Sequence, residues 1–176
     1  MAYDRFHYLF FGRPGTRDGG LEVQMRIAAA GIVFSTFVIA AKASDEPRWF
    51  GSKDEQGASL IYGIPQSGYG PLSFSCTRKG EPLRFSLEHE PVKAKIGVRV
   101  TVILAASGIE IGIPTVGQRL EMDDLFVLNG RVRLDDKLKR LLTTGKILEV
   151  RVEDGAAAYP LAGAPEAARA LFQHCG

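Results

Sequence analysis

Cysteine and histidine are scarce in this chain: among 176 residues there are two of the first and three of the second. Cys76 and Cys175 lie far apart, so there is no C-x-x-C unit of the kind that cycles between thiol and disulfide. The sequence has no G-x-S-x-G elbow, no S-x-x-K and no H-E-x-x-H, which removes the familiar nucleophilic and zinc-hydrolase layouts. It also lacks a D-x-D-x-D-G calcium loop, a glycine-rich phosphate loop, internal repeats and low-complexity tracts. Gly68 and Gly70 are separated by Tyr69 and belong to a strand connection.

An excess of one charge is missing too. Lys and Arg number 22 against 20 Asp and Glu. The small surplus sits at the front, where Arg5, Arg13, Arg17, Arg26 and Lys42 face Asp4, Asp18 and Glu22. The remainder, with 17 basic and 17 acidic side chains, is neutral. It therefore lacks the long-range field of a nucleic-acid binder, and nucleic acid is set aside as a partner.

What is present begins with an uncharged run at residues 27–41, preceded by Met25-Arg26 and followed by Ala41-Lys42-Ala43. This is the layout of a secretory signal peptide over residues 25–43, with small residues where a peptidase reads. The run is short beside the ~20 residues that cross a bilayer. We expect a mature chain starting near Ser44, with no stable membrane insertion after cleavage. Residues 1–24, glycine-rich and aperiodic, are expected to be an upstream extension outside the native reading frame start. The rival reading is a cytosolic extension with an uncleaved anchor.

Export sets the reading of the cysteines. In an oxidising compartment a lone pair is a disulfide, so Cys76 and Cys175 are expected to be bridged. Closing a loop of about 100 residues is worth up to ~4.7 kcal/mol on the chain-entropy model.

Residues 45–176 read as one β-rich domain. Alternation of apolar and polar residues predicts strands over 58–64, 72–76, 83–87, 98–105, 109–113 and 147–152, with 115–120 a further short strand. Gly, Pro and Ser break them at 66–71, 78–81 and 107–108. Residues 44–56 read as an irregular lead-in with Trp49 tucked against the body, and 125–128 as either helix or strand. Asp135 is the expected N-cap of a helix over 136–143, with Leu138, Leu141 and Leu142 inward. Pro165 opens a C-terminal helix whose apolar face, Ala167, Ala168, Leu171, Phe172 and Cys175, docks on the sheet. The fold class expected is mainly β, an antiparallel β-sandwich or open barrel, with one or two helices including that C-terminal one.

Candidates for chemistry are few. His7 lies in the front segment and His174 at a helix C-terminus, where a cation suits the dipole. His89 stands between Glu88 and Glu90, but neighbours on a strand point to opposite faces, so both carboxylates cannot flank it on one side. Asp123-Asp124 is the second acidic candidate, a carboxylate pair that could bind a divalent cation but is equally well explained as a helix N-terminus. Lys137, Lys139 and Arg140 give a basic but solvated helix face. No catalytic residue, metal ligand or cofactor is assigned.

The strings Leu60-Ile61-Tyr62-Gly63, Leu72-Ser73-Phe74-Ser75-Cys76, Gly163-Ala164 and Ala167-Ala168-Arg169-Ala170-Leu171, closing on Cys175, resemble small exported proteins of Gram-negative bacteria. More distantly, residues 57–175 are similar to the invasion-associated locus B family and the VasI-like proteins linked to type VI secretion. The resemblance implies a periplasmic β-sandwich-like domain with one strand cysteine and one C-terminal cysteine; it carries over no catalytic residue. The expectation is a periplasmic or secreted, non-enzymatic binding or accessory protein whose partner is another envelope protein. Tyr62 and Tyr69, near the 65–71 turn, are the candidate binding aromatics. Two alternatives stand beside it. One is an inhibitor of a periplasmic enzyme presenting residues 65–71 or 88–97. The other is a hydrolase or metal-dependent enzyme gathering His89 with Glu88, Glu90, Asp123 or Asp124.

Overall fold

The computed structural model describes residues 46–121 and 124–176, which belong to one compact unit spanning Lys42–Gly176. The segments 1–24 and 25–43, with His7, and the residue Asp123 lie outside the described residues. Among the described residues no helix is long and apolar enough to cross a membrane.

Among the described residues nine strands form one antiparallel sheet. In chain order they are β1 (Arg48–Asp54), β2 (Gly57–Gly63), β3 (Leu72–Cys76), β4 (Leu83–Glu88), β5 (Arg99–Ala106), β6 (Ile109–Leu120), β7 (Leu125–Val132), β8 (Ile147–Val152) and β9 (Gly155–Pro160). Their order across the sheet is β1-β2-β3-β4-β7-β6-β5-β8-β9. Of the two arrangements open from the strand pattern, the open barrel is the one adopted: a single sheet curls through about half a barrel. Its two edge strands meet at one side chain. Trp49 of β1, 4% exposed, donates from Nε1 to the carbonyl of Pro160 in β9 at 2.6 Å. Tyr62 and Tyr159 extend the contact, with Tyr62 edge-on to both Trp49 and Tyr159. Burial pushes the Tyr159 phenol up to about 12, with Tyr69, Glu88 and Tyr62 adding to the shift.

Period-two burial decides which residues face inward. Leu72, Phe74 and Cys76 of β3 and Leu83, Phe85 and Leu87 of β4 are buried, and the Phe74 and Phe85 rings lie 5.4 Å apart. Each such side chain is worth about 1.5–3 kcal/mol of transfer free energy. The helices close the concave side. α1 (Asp136–Thr143) is capped as its sequence requires, Asp135 Oδ1 accepting from the Leu138 amide at 2.9 Å, and it buries Leu138, Leu141 and Leu142. The C-terminal helical region packs against β1, β2 and β3.

Three details differ from the sequence expectation. Residues 48–54 are a paired strand rather than an irregular lead-in. Backbone pairing with β2 overrides their polar composition, and Asp54 closes the hairpin by accepting from the Gln56 and Gly57 amides. Residues 109–113 and 115–120 are one strand, β6, running through Pro114. The proline is tolerated because β6 changes neighbours there: it pairs with β5 up to Val116 and with β7 only from Thr115 onward. The C-terminal helix is broken at Ala168 into α2 (Ala164–Ala167) and α3 (Arg169–Cys175). At that break the Ala167 carbonyl presses on β1, where a Cβ on Gly51 would stand 2.1 Å from it. Only glycine leaves that room. Residues 125–128 resolve as strand.

Cys175 reaches Cys76, and the two form a disulfide with Cα atoms 6.1 Å apart and both residues buried. The Cys175 carbonyl accepts from the Gly80 amide at 2.8 Å, so the chain end is also held by the β3–β4 turn. That turn is organised by Glu81. Its Oε1 accepts from the Thr77 hydroxyl at 2.7 Å, the Arg78 amide at 2.9 Å and the Thr77 amide. Those bonds, the Thr77 hydroxyl first, hold its carboxyl down to about 2.

Cys76→Ala/Cys175→Ala is expected to lose up to ~4.7 kcal/mol of urea-measured stability. A loss under about 0.5 kcal/mol would show that the bridge does not carry the fold. Glu81 provides the second test. Its carboxyl is depressed, so its stabilisation is present above the ordinary value of 4.5 and fades as pH falls toward 2. Glu81→Gln should melt below wild type at pH 7 and converge with it near pH 2. A constant difference across that window would contradict the assignment.

Candidate functional site

Strand order creates one unusual connection. β4 and β5 are consecutive in sequence, yet β7 and β6 lie between them in the sheet. Residues 89–98 must therefore cross the end of the barrel over those two strands. They are fastened along the way: the His89 amide donates to Phe126 O at 3.1 Å in β7, and the Gly97 amide to Gly117 O at 2.8 Å in β6. The Gly117 amide returns a bond to Val98 O at 2.8 Å. Within the crossover, Ala94 N–H bonds Pro91 O and Val98 N–H bonds Lys95 O.

Side chains pin both flanks. His89 Nε2 lies 2.9 Å from Asp154 Oδ1, in the β8–β9 turn. The other oxygen of Asp154 accepts the Val92 amide, and that bond, followed by the one to His89, holds the Asp154 carboxyl below the usual carboxylate range. Arg119 of β6 takes Glu90 on one nitrogen and Asp124 Oδ1, at 2.9 Å, on the other, while its guanidinium sits 5.5 Å from the Phe126 ring. Glu90 first and Asp124 second raise the basicity of Arg119.

The acidic candidates thus do not converge on His89. Glu90 and Asp124 go to Arg119, and Glu88 is an outward strand position paired with Val127. The partner of His89 is Asp154, 65 residues away, which sequence reading missed. Asp154 lies in an Glu-Asp-Gly turn whose residue types spell a hairpin, and its approach to the end of β4 is purely tertiary. Among the described residues no Ser, Thr or Cys side chain hydrogen-bonds His89, and no cluster of three or more His, Cys, Asp or Glu side chains gathers. The pair is a clasp on a loop.

Held this way, the crossover displays Val92, 86% exposed, and Ile96, 76% exposed, with Lys93 and Lys95 between and beside them. A groove of about 440 Å³ runs between the loop, the start of β5 and the β8–β9 turn. Val92, Val98 and Val100 form its apolar wall and Lys93, Arg99 and Glu153 its charged rim.

The 65–71 turn is less prominent. Ile64 N–H bonds Tyr69 O at 3.0 Å, and Ser67 donates its hydroxyl to Ile64 O at 2.7 Å. Tyr69 is 46% exposed, whereas Tyr62 is half-buried against Trp49 and Tyr159 and is a core aromatic.

No family model, curated protein or solved structure matches the chain.

Asp154→Asn weakens the acceptor for both Val92 and His89. Amide exchange at Val92 should quicken several-fold, while amides of β3 and β4 keep their protection. Unchanged exchange at Val92 would show that the clasp does not hold the loop.

Proposed function

We propose that this chain is an exported, non-enzymatic binding or accessory protein of the periplasm, and that residues 89–98 are what it offers to a partner protein of the envelope. The observation that carries the reading is a fastened loop with two bare aliphatic side chains. Val92 and Ile96 are the two most exposed large hydrophobic residues among those described. Ordinarily such side chains on a crossover would fold back over the barrel end. Here the loop backbone is anchored at His89, Val92, Gly97 and Val98, so most of its ordering entropy is spent before any partner arrives. Apolar tips flanked by lysines suit the buried centre and polar rim of a protein interface.

Export is supported by the 25–43 signal-like segment and by the Cys76–Cys175 disulfide, since such bonds persist in oxidising compartments. Kinship with the invasion-associated locus B and VasI-like families is part of the same proposal. The second reading, an enzyme inhibitor, draws on the same observation: a loop held at both ends is the form in which small domains occupy a cleft. The 65–71 turn serves it less well, because it presents one aromatic and no aliphatic tip.

Val92→Asp/Ile96→Asp should fold normally, as exposed positions change stability by about 0.5 kcal/mol or less. A photo-crosslinker at position 92 in otherwise wild-type protein should give a discrete adduct in envelope extract. The same probe at exposed Gln173 should not, and Ile96→Asp should suppress the adduct at least several-fold. Equal labelling from both positions would count against the loop.

A further inference from the structure

Away from the crossover, the outward face of the sheet carries two arginines with no ion-pair partner among the described residues. Register places Arg84 of β4 directly opposite Arg131 of β7. Both point outward and both are exposed. Directly opposed residues bring their Cβ atoms within about 4.5–5.5 Å, and like charges so placed are destabilising. Three other described arginines do find carboxylates: Arg119 has Glu90 and Asp124, Arg151 has Glu110, and Arg169 has Glu166. Arg84 and Arg131 form no salt bridge with any described residue.

Glu110 and Asp135 line a separate hollow on the far side of Arg131, whereas the neighbours of the pair along β3 and β4 are hydrogen-bonding side chains. Ser75 of β3 stands opposite Arg84 on the other side, and Ser86 stands opposite Asn129 one outward row along. The Ser75 and Ser86 hydroxyls make no hydrogen bond to another described residue. Asn129 donates to Gln118 Oε1 at 3.3 Å, which leaves the rest of its amide group open. Between β4, β7 and β6 lies a depression of about 700 Å³ whose lining includes both arginines, Asn129 and Gln118 but no carboxylate.

We propose that this depression is a binding site for a phosphate group, held by the Arg84 and Arg131 guanidiniums together, with Asn129 available to its remaining oxygens. A dianion between two guanidiniums converts the cross-strand repulsion into two charge-assisted contacts, and the planar fork of arginine matches phosphate geometry. The site is separate from residues 89–98 and does not rest on the reading given for them. The chemistry does not distinguish a soluble phosphomonoester from the headgroup of phosphatidic acid.

The test uses the full chain with nitrogen-15-labelled arginine, inorganic phosphate as the probe, and sodium chloride to hold ionic strength constant. The Nε–Hε signals of Arg84 and Arg131 should shift together and saturate. Arg84→Gln and Arg131→Gln should each weaken binding at least about tenfold, the loss of one charge-assisted contact. Arg78→Gln, in the exposed β3–β4 turn, should leave it unchanged. Melting temperatures of the two glutamine variants at or above wild type would confirm that the folds are intact. Glucose 6-phosphate and phosphatidylcholine vesicles doped with phosphatidic acid then separate the sources, and arginine-dependent binding of either supports the site. Shifts linear in phosphate, shifts equal at Arg78, or affinity retained in the double glutamine variant would overturn it.

Discussion

A covalent tie between the first half of the sheet and the last turn of the chain sets the terms for the rest of the structure. β3 is an interior strand with β2 and β4 on either side, and Cys76 ends it on the buried face. Once Cys175 is bonded there, α3 must lie across β1, β2 and β3, and Leu171 must enter the space those strands curve around. Several local features serve that arrangement. The Gly80 amide takes the Cys175 carbonyl at the end of α3, and at the break between the helices Gly51 leaves room for the Ala167 carbonyl, a backbone approach that a side chain would block.

Curvature is the second constraint. A nine-stranded sheet leaves two edges with unpaired backbone groups, and open edges invite pairing with other chains. Here β1 and β9 are drawn together by one indole N–H to the Pro160 carbonyl and by the Trp49–Tyr62–Tyr159 ring contacts. Register within the same sheet brings Arg84 and Arg131 side by side on its outward face. Strand order does the rest: because β7 and β6 intervene between β4 and β5, residues 89–98 become a bridge over the barrel end, and a bridge fastened from beneath presents its upper side chains.

Much of the fold was legible because burial on one face writes a period of two or of 3.6 into the chain. Residues 72–76, 83–87 and 147–152 carry the first and 136–143 the second, and Asp135 announces the start of its helix by side-chain chemistry alone. Residues 48–54 were illegible for the opposite reason. An edge strand with one largely solvated flank needs few apolar residues, and its identity comes from pairing with β2. Pro114 misled in a related way, since a proline ends a strand in sequence logic but survives where the strand has a neighbour on one side only. At the candidate site, His89 was visible and its partner was not. Glu88 and Glu90 are near it in sequence, whereas Asp154 is near it in space.

By itself, then, the amino-acid order determined most of the strands, the capped helix, the inward faces and the two sulfurs available to be joined, because each depends on residues within a few positions or on simple chemistry. Tertiary structure alone decided that the sheet is a single curled one, that β7 lies beside β4, that Asp154 meets His89, and that Arg84 faces Arg131. Those outcomes depend on strand order and register, which arise from summed packing across distant segments and leave no mark on any one stretch of sequence.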